Sequence, residues 1–168
     1  MAYLIGRARI RRVARSFSYL APPVLWMAIL FVLSSDLGSS PRTEGVLDSL
    51  LLRLFPWLRH HLSLAALDVA NHWLRKTAHV VAYFLLGLLN LRAAGYLEGR
   101  RSTHGVLMAW TAAVLYSLFD EWHQSFIPSR SPEAGDAGID ALGATLAVLI
   151  CLYQWHRKRT PDHSGSSR

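Results

Sequence analysis

Cysteine is nearly missing from this chain: Cys151 is the only one in 168 residues. A single thiol closes no disulfide, forms no CxxC redox pair and supplies no thiolate cluster for zinc, so those ways of stabilising a small domain are excluded. Charge is scarce as well. Charged residues are 17% of the chain, whereas a soluble domain carries roughly a quarter, and the shortfall is concentrated in a few runs that are almost charge-free. No A-x-A-type cleavage pattern follows the first of those runs; Leu33-Ser34-Ser35-Asp36 stands there instead. The run is therefore expected to remain as a membrane helix and not to be removed as a signal peptide. No HxxxH or ExxH pattern accompanies the acidic residues and no inverted repeat is visible, which leaves metal catalysis and repeat-built transport without their usual signatures.

What the chain has in quantity is apolar surface. Hydrophobic residues are 52% of it, with six Trp, six Tyr and six Phe, and the mean hydropathy is +0.22. The composition reads as an all-α, polytopic membrane protein. Its net charge of +7 does not indicate a nucleic-acid partner, because the arginines are clustered: Arg7, Arg9, Arg11, Arg12 and Arg15 first, then Arg92, Arg100 and Arg101, then Arg157, Lys158 and Arg159. Each cluster borders an apolar run, as positive-inside topology signals do. Both termini and the middle loop are thus expected in the cytoplasm. The chain divides into a basic cytoplasmic segment 1–16, a four-helix transmembrane domain 17–155 and a basic, disordered tail 156–168.

The expected spans follow from spacing. Phe17 to Leu33 is the first, with Pro22 and Pro23 in its opening turns, where a missing N–H is tolerated. Val46, Leu47, Leu50, Leu51, Leu54 and Leu58 then recur at helical spacing. They predict an amphipathic helix lying in the membrane interface between helices one and two. A second span needs ~20 residues and so reaches back to about His72, taking in Arg75 and Lys76. Lys76, His79, Tyr83, Gly87 and Asn90 form one stripe along it, which should face other helices and not lipid. Arg92 to Gly105 reads as a loop, and Gly105 to about Ile127 as the third span. The fourth begins with Asp136 as N-cap and runs to about Trp155. Trp26, Trp57, Trp73, Trp110, Trp122 and Trp155 are expected as interfacial anchors.

With alternating spans, Lys76, Asp120 and Asp136 fall on the same external face. Lys76 and Arg130 meet four carboxylates there, Asp120, Glu121, Asp136 and Asp140, with His79 and Gln124 nearby. Ionisable groups at membrane depth mark a site unless they neutralise one another, and here the carboxylates exceed Lys76 and Arg130 by two before His79 and Arg75 are counted. One reading is a binding or catalytic pocket: Lys76 and Arg130 hold a phosphate or carboxylate, and Glu121 or His79 is a general acid/base. In it Tyr83, Asp120, Gln124, Asp136 and Asp140 complete the substrate-binding wall. No metal is called for, although Asp136 and Asp140, one turn apart, could share a hard cation. A structural ion-pair network and a small ion or solute transporter are the alternatives. No cofactor follows from the sequence; a haem between His79 and His72 or His123 is a remote option.

Arg75-Lys76-x-x-His79-x-x-x-Tyr83, followed by Asp120-Glu121-x-x-Gln124-x-Phe126-x-Pro128-x-Arg130, Asp136 and Asp140-x-x-Gly143, resembles the paired signatures of the VanZ-like family of small bacterial membrane proteins. The resemblance spans about Ser18 to Tyr153. Arg75, Ser129 and Asp140 depart from the usual Asp, Gly and Asn. It implies a multi-pass protein of the cytoplasmic membrane, associated with resistance to teicoplanin-type glycopeptides. Membrane lipid, and a lipid-linked cell-wall precursor or the glycopeptide itself, are the partners it suggests. Neither the reaction nor whether there is one follows from it.

Overall fold

The computed structural model describes residues 2–35, 53, 56, 64–98, 102–128 and 134–157. Four helices carry the fold: α1 (Ala2–Ser34), α2 (Leu64–Leu97), α3 (Thr103–Gln124) and α4 (Ala134–Arg157). No strand occurs among the described residues. Apart from Arg53 and Pro56, the segment 46–58 expected as an interfacial helix lies outside the described residues, as do the loop residue Arg130 and the tail beyond Arg157.

Three of the helices contain stretches long and apolar enough to cross a membrane: Val13–Ser34, Asp68–Leu97 and Gly135–Arg157. α3 has 22 residues, about 33 Å at 1.5 Å per residue, which matches a ~30 Å hydrocarbon core. Its last two turns carry Asp120, Glu121, His123 and Gln124, so its polar end is counted in that length. The surface confirms the solvent. Phe17, Val24, Leu25, Leu107, Leu115, Leu118 and Leu149 are exposed, while Lys76, Asn90, Ser117, Asp120, Gln124, Asp136 and Asp140 are buried. A chain that turns its leucines outward and its charges inward is built for lipid.

The helices run alternately up and down. Ser16 of α1 bonds Tyr96 of α2 at one end, and His79 of α2 meets Asp140 of α4 near the other. α2 and α4 are thereby parallel, and their closeness depends on small residues. A Cβ added at Gly87 would lie 2.9 Å from the Ala147 Cβ, and one at Gly143 would strike the Val80 carbonyl and stand 3.0 Å from the Phe84 nitrogen. Tyr83, Leu86, Ala113 and Ala144 fill the centre. α1 leans on this core through Trp26, whose indole donates to the Ala82 carbonyl at 2.9 Å, and through Met27, whose carbonyl accepts from the Tyr116 hydroxyl at 2.5 Å.

Several boundaries differ from the sequence expectation. α1 begins at Ala2, so Pro22 and Pro23 lie in its interior and not in its first turns. The arginine-rich segment is helical because arginine is itself a good helix former. α2 continues through Arg92 to Leu97, which shortens the expected Arg92–Gly105 loop. α3 stops at Gln124, capped by Ser125, and starts from Ser102, whose hydroxyl accepts the Gly105 N–H. Asp136 is not the N-cap of α4, which starts at Ala134; it sits in the first turn, where a carboxylate still complements the helix dipole. Two tryptophans are not interfacial anchors. Trp26 ties α1 to α2, and Trp110 donates to Thr145 of α4 at 3.0 Å. Trp73 and Trp122 are exposed near the span ends, where amphipathic rings settle.

Candidate functional site

Three helices bring polar side chains to one end of the bundle. α2 offers Lys76, His79 and Tyr83, successive positions of one stripe. α3 offers Ser117, Asp120, Glu121 and Gln124 from its last two turns, and α4 offers Asp136 and Asp140 from its first two. The close approach at Gly143, one turn beyond Asp140, sets the gap across which the α2 and α4 groups meet.

Two pairs cross that gap. The Lys76 ammonium donates to Asp136 Oδ1, and both side chains are buried. His79 Nδ1 lies 3.0 Å from Asp140 Oδ1, and Ser117 donates to the other oxygen, Oδ2, also at 3.0 Å. Asp140 is fully buried, so it is a fixed acceptor held from two helices. A carboxylate that takes Nδ1–H leaves Nε2 of the ring as the basic nitrogen, the geometry by which a buried acid orients a histidine base.

The remaining carboxylates are differently placed. Asp120 accepts from Gln124 one turn on, at 2.9 Å to Oδ2, and its Oδ1 has no partner among the described residues. The same is true of both oxygens of Glu121, and of the hydroxyl of Tyr83. Asp120 and Tyr83 are 3% and 2% exposed, so neither unpartnered atom is rescued by bulk water. Tyr83 lies within electrostatic range of Asp120, Asp140 and Glu121, and Glu121 within range of Asp136, Asp140 and His79. A buried polar atom without a partner costs about 1–3 kcal/mol. Three neighbouring side chains with such atoms form a polar patch that an incoming donor-rich group would satisfy.

Of the residues predicted from sequence, the structure brings together Lys76, His79, Tyr83, Asp120, Glu121, Gln124, Asp136 and Asp140; Arg130 is outside the described residues. Among the described residues, Asp136 and Asp140 are matched by Lys76 and His79, while Asp120 Oδ1 and both Glu121 oxygens have no hydrogen-bond partner. Asp136 and Asp140, one turn apart on α4, are each engaged by a different partner, Asp136 by Lys76 and Asp140 by His79 and Ser117. Ser117, which helical spacing places on the face of Glu121 and Gln124, joins the site as a donor to Asp140, a partner the spacing does not reveal.

Helices that expose leucine and bury a histidine–carboxylate pair beside unsatisfied acids define an integral membrane protein with a polar centre at one end. The VanZ/LLP1 family matches residues 19–155, and the chain belongs to that family. No curated protein and no solved structure shows significant similarity to it.

Proposed function

We propose that this chain resides in the bacterial cytoplasmic membrane with both termini in the cytoplasm. The Asp120–Glu121 end then opens externally, where it binds or acts on a lipid-linked or cell-wall substrate and contributes to resistance against teicoplanin-type glycopeptides. The topology rests on the arginine clusters that border the apolar runs. The observation that carries the site is the contrast within it: Lys76–Asp136 and His79–Asp140–Ser117 are satisfied, while Tyr83, Asp120 and Glu121 keep buried polar atoms unmatched among the described residues. A self-sufficient network would not leave its surplus on two adjacent carboxylates.

In this reading Glu121 and the Nε2 of His79 are the candidate acid and base, Asp140 and Ser117 orient His79, and Asp136 positions Lys76. Lys76 and Arg130 face the anionic group of the substrate, and Tyr83, Asp120 and Gln124 bond its hydroxyl or amide groups. A second reading has one observation in its favour. The Lys76–Asp136 and His79–Asp140 pairs both tie α2 to α4, as a purely structural network would.

Cells expressing the chain are expected to show reduced teicoplanin susceptibility, and Glu121→Gln, His79→Ala and Arg130→Ala each to return it to the level of cells without the chain. Membrane abundance of each variant is measured alongside. Wild-type resistance in all three, with normal insertion, would remove the site from consideration.

A further inference from the structure

At the end of the bundle opposite the acidic site, a cavity of about 890 Å³ opens between all four helices. We infer that it is a binding site for the phosphate-bearing headgroup of an anionic phospholipid. Among the described residues its charged lining side chains are Arg15 of α1 and Arg92 of α2, and the nearest carboxylate, Glu98, lies behind the lining residue Gly105. Glu98, the acid at the end of α2, is engaged by His104 at 2.6 Å.

Arg92 is pre-set. Its guanidinium carbon lies 4.6 Å above the ring of Tyr19, Tyr19 stacks on Tyr96 with centroids 4.6 Å apart and planes 8° from parallel, and the Tyr96 hydroxyl is held by Ser16 at 2.8 Å. A guanidinium stacked by its face keeps its in-plane N–H fork for a bidentate anion, which suits phosphate. The start of α3 adds no such attraction, because the Ser102 hydroxyl caps the Gly105 N–H and the Glu98 carboxylate already stands beside Gly105, so the two arginines carry the pull on an anion.

The setting decides between a lipid and a soluble phosphate. Arg15 lies near the start of the first apolar span and Arg92 in the second turn from the end of the next, which is headgroup depth. Leu88, Leu91, Val106 and Ile150 complete the wall and offer apolar contact to a glycerol backbone and acyl chains. Basic pockets between membrane helices bind anionic headgroups for these reasons.

The test is native mass spectrometry of the full chain extracted from vesicles of equal phosphatidylglycerol and phosphatidylcholine. Phosphatidylglycerol should be retained over phosphatidylcholine, and the preference should fall roughly tenfold in Arg15→Gln/Arg92→Gln. Gly95→Leu provides a second arm that keeps both arginines. Gly95 lines the cavity and an added Cβ there meets nothing within 4 Å, so the larger side chain should occlude the site and give the same loss. Equal retention of the two lipids, or an undiminished preference in Gly95→Leu, overturns the proposal. Displacement of the lipid by inorganic phosphate would overturn the lipid assignment in favour of a soluble anion.

Discussion

Gly143→Leu should abolish the folded bundle, and Gly143→Ala should destabilise it by about 1–3 kcal/mol, the usual penalty for overpacking. Elsewhere in a helix the alanine change would help, because glycine is worth about 1 kcal/mol less than alanine there. At Gly143 the obstacle is backbone: the new Cβ meets the Val80 carbonyl and the Phe84 nitrogen of α2, and neither can turn aside as a side-chain tip would. Gly138, five residues earlier and open to its surroundings, supplies the control, since Gly138→Ala should gain a few tenths to about 1 kcal/mol. Thermal unfolding in detergent, followed by helical circular dichroism, reads both. Gly143→Ala should also weaken the His79–Asp140 contact, because Val80 adjoins His79 and Gly143 lies one turn from Asp140. Equal melting temperatures for Gly143→Ala and Gly138→Ala would mean that α2 and α4 do not approach as described.

The second large effect belongs to the Lys76–Asp136 pair. The two residues are 8% and 7% exposed, so removing one leaves the other as a charge with little water to solvate it. Such breakage costs about 3–5 kcal/mol, whereas replacing both partners with apolar side chains of similar volume is often close to neutral. Lys76→Met and Asp136→Leu are each expected to unfold the protein readily, and the double variant to recover a large part of the loss. The cycle is read by unfolding all four proteins under identical conditions. Single losses that simply add in the double variant would show that the pair is not coupled.

How much of this could be read from the chain alone depended on whether the signal was local. The stripe of Lys76, His79 and Tyr83, and the polar end of α3, were legible because a polar residue at helical spacing stands out against an apolar background. Helix ends were less so. Arg92 looked like a boundary, yet α2 passes through it to Leu97, because the bilayer limits only the apolar part of a helix and places no stop on its backbone. Pro22 and Pro23 looked like a beginning and are an interior feature of α1. The choice of partners was not legible at all. Whether Lys76 reaches Asp136, Asp140 or Asp120 depends on the rotation of α2 against α4, which the small residues at Gly87, Gly143 and Ala147 set through contacts distant in sequence. The role of Ser117 becomes visible only once Asp140 is known to face it.

The central claim is that the surplus acid at the Asp120–Glu121 end exists for a ligand and not for the fold. Structural and functional charges respond oppositely to neutralisation. A charge that holds the bundle together loses stability with its partner, while one kept buried and unmatched for a ligand leaves the protein more stable when it is removed. Glu121→Gln, with both Glu121 oxygens buried and without a partner among the described residues, distinguishes the two when unfolding temperature and teicoplanin susceptibility are measured on the same variant. The expected result is a melting temperature equal to or above the wild type together with lost resistance. A melting temperature well below the wild type, or full resistance in a stable Glu121→Gln protein, would contradict the account.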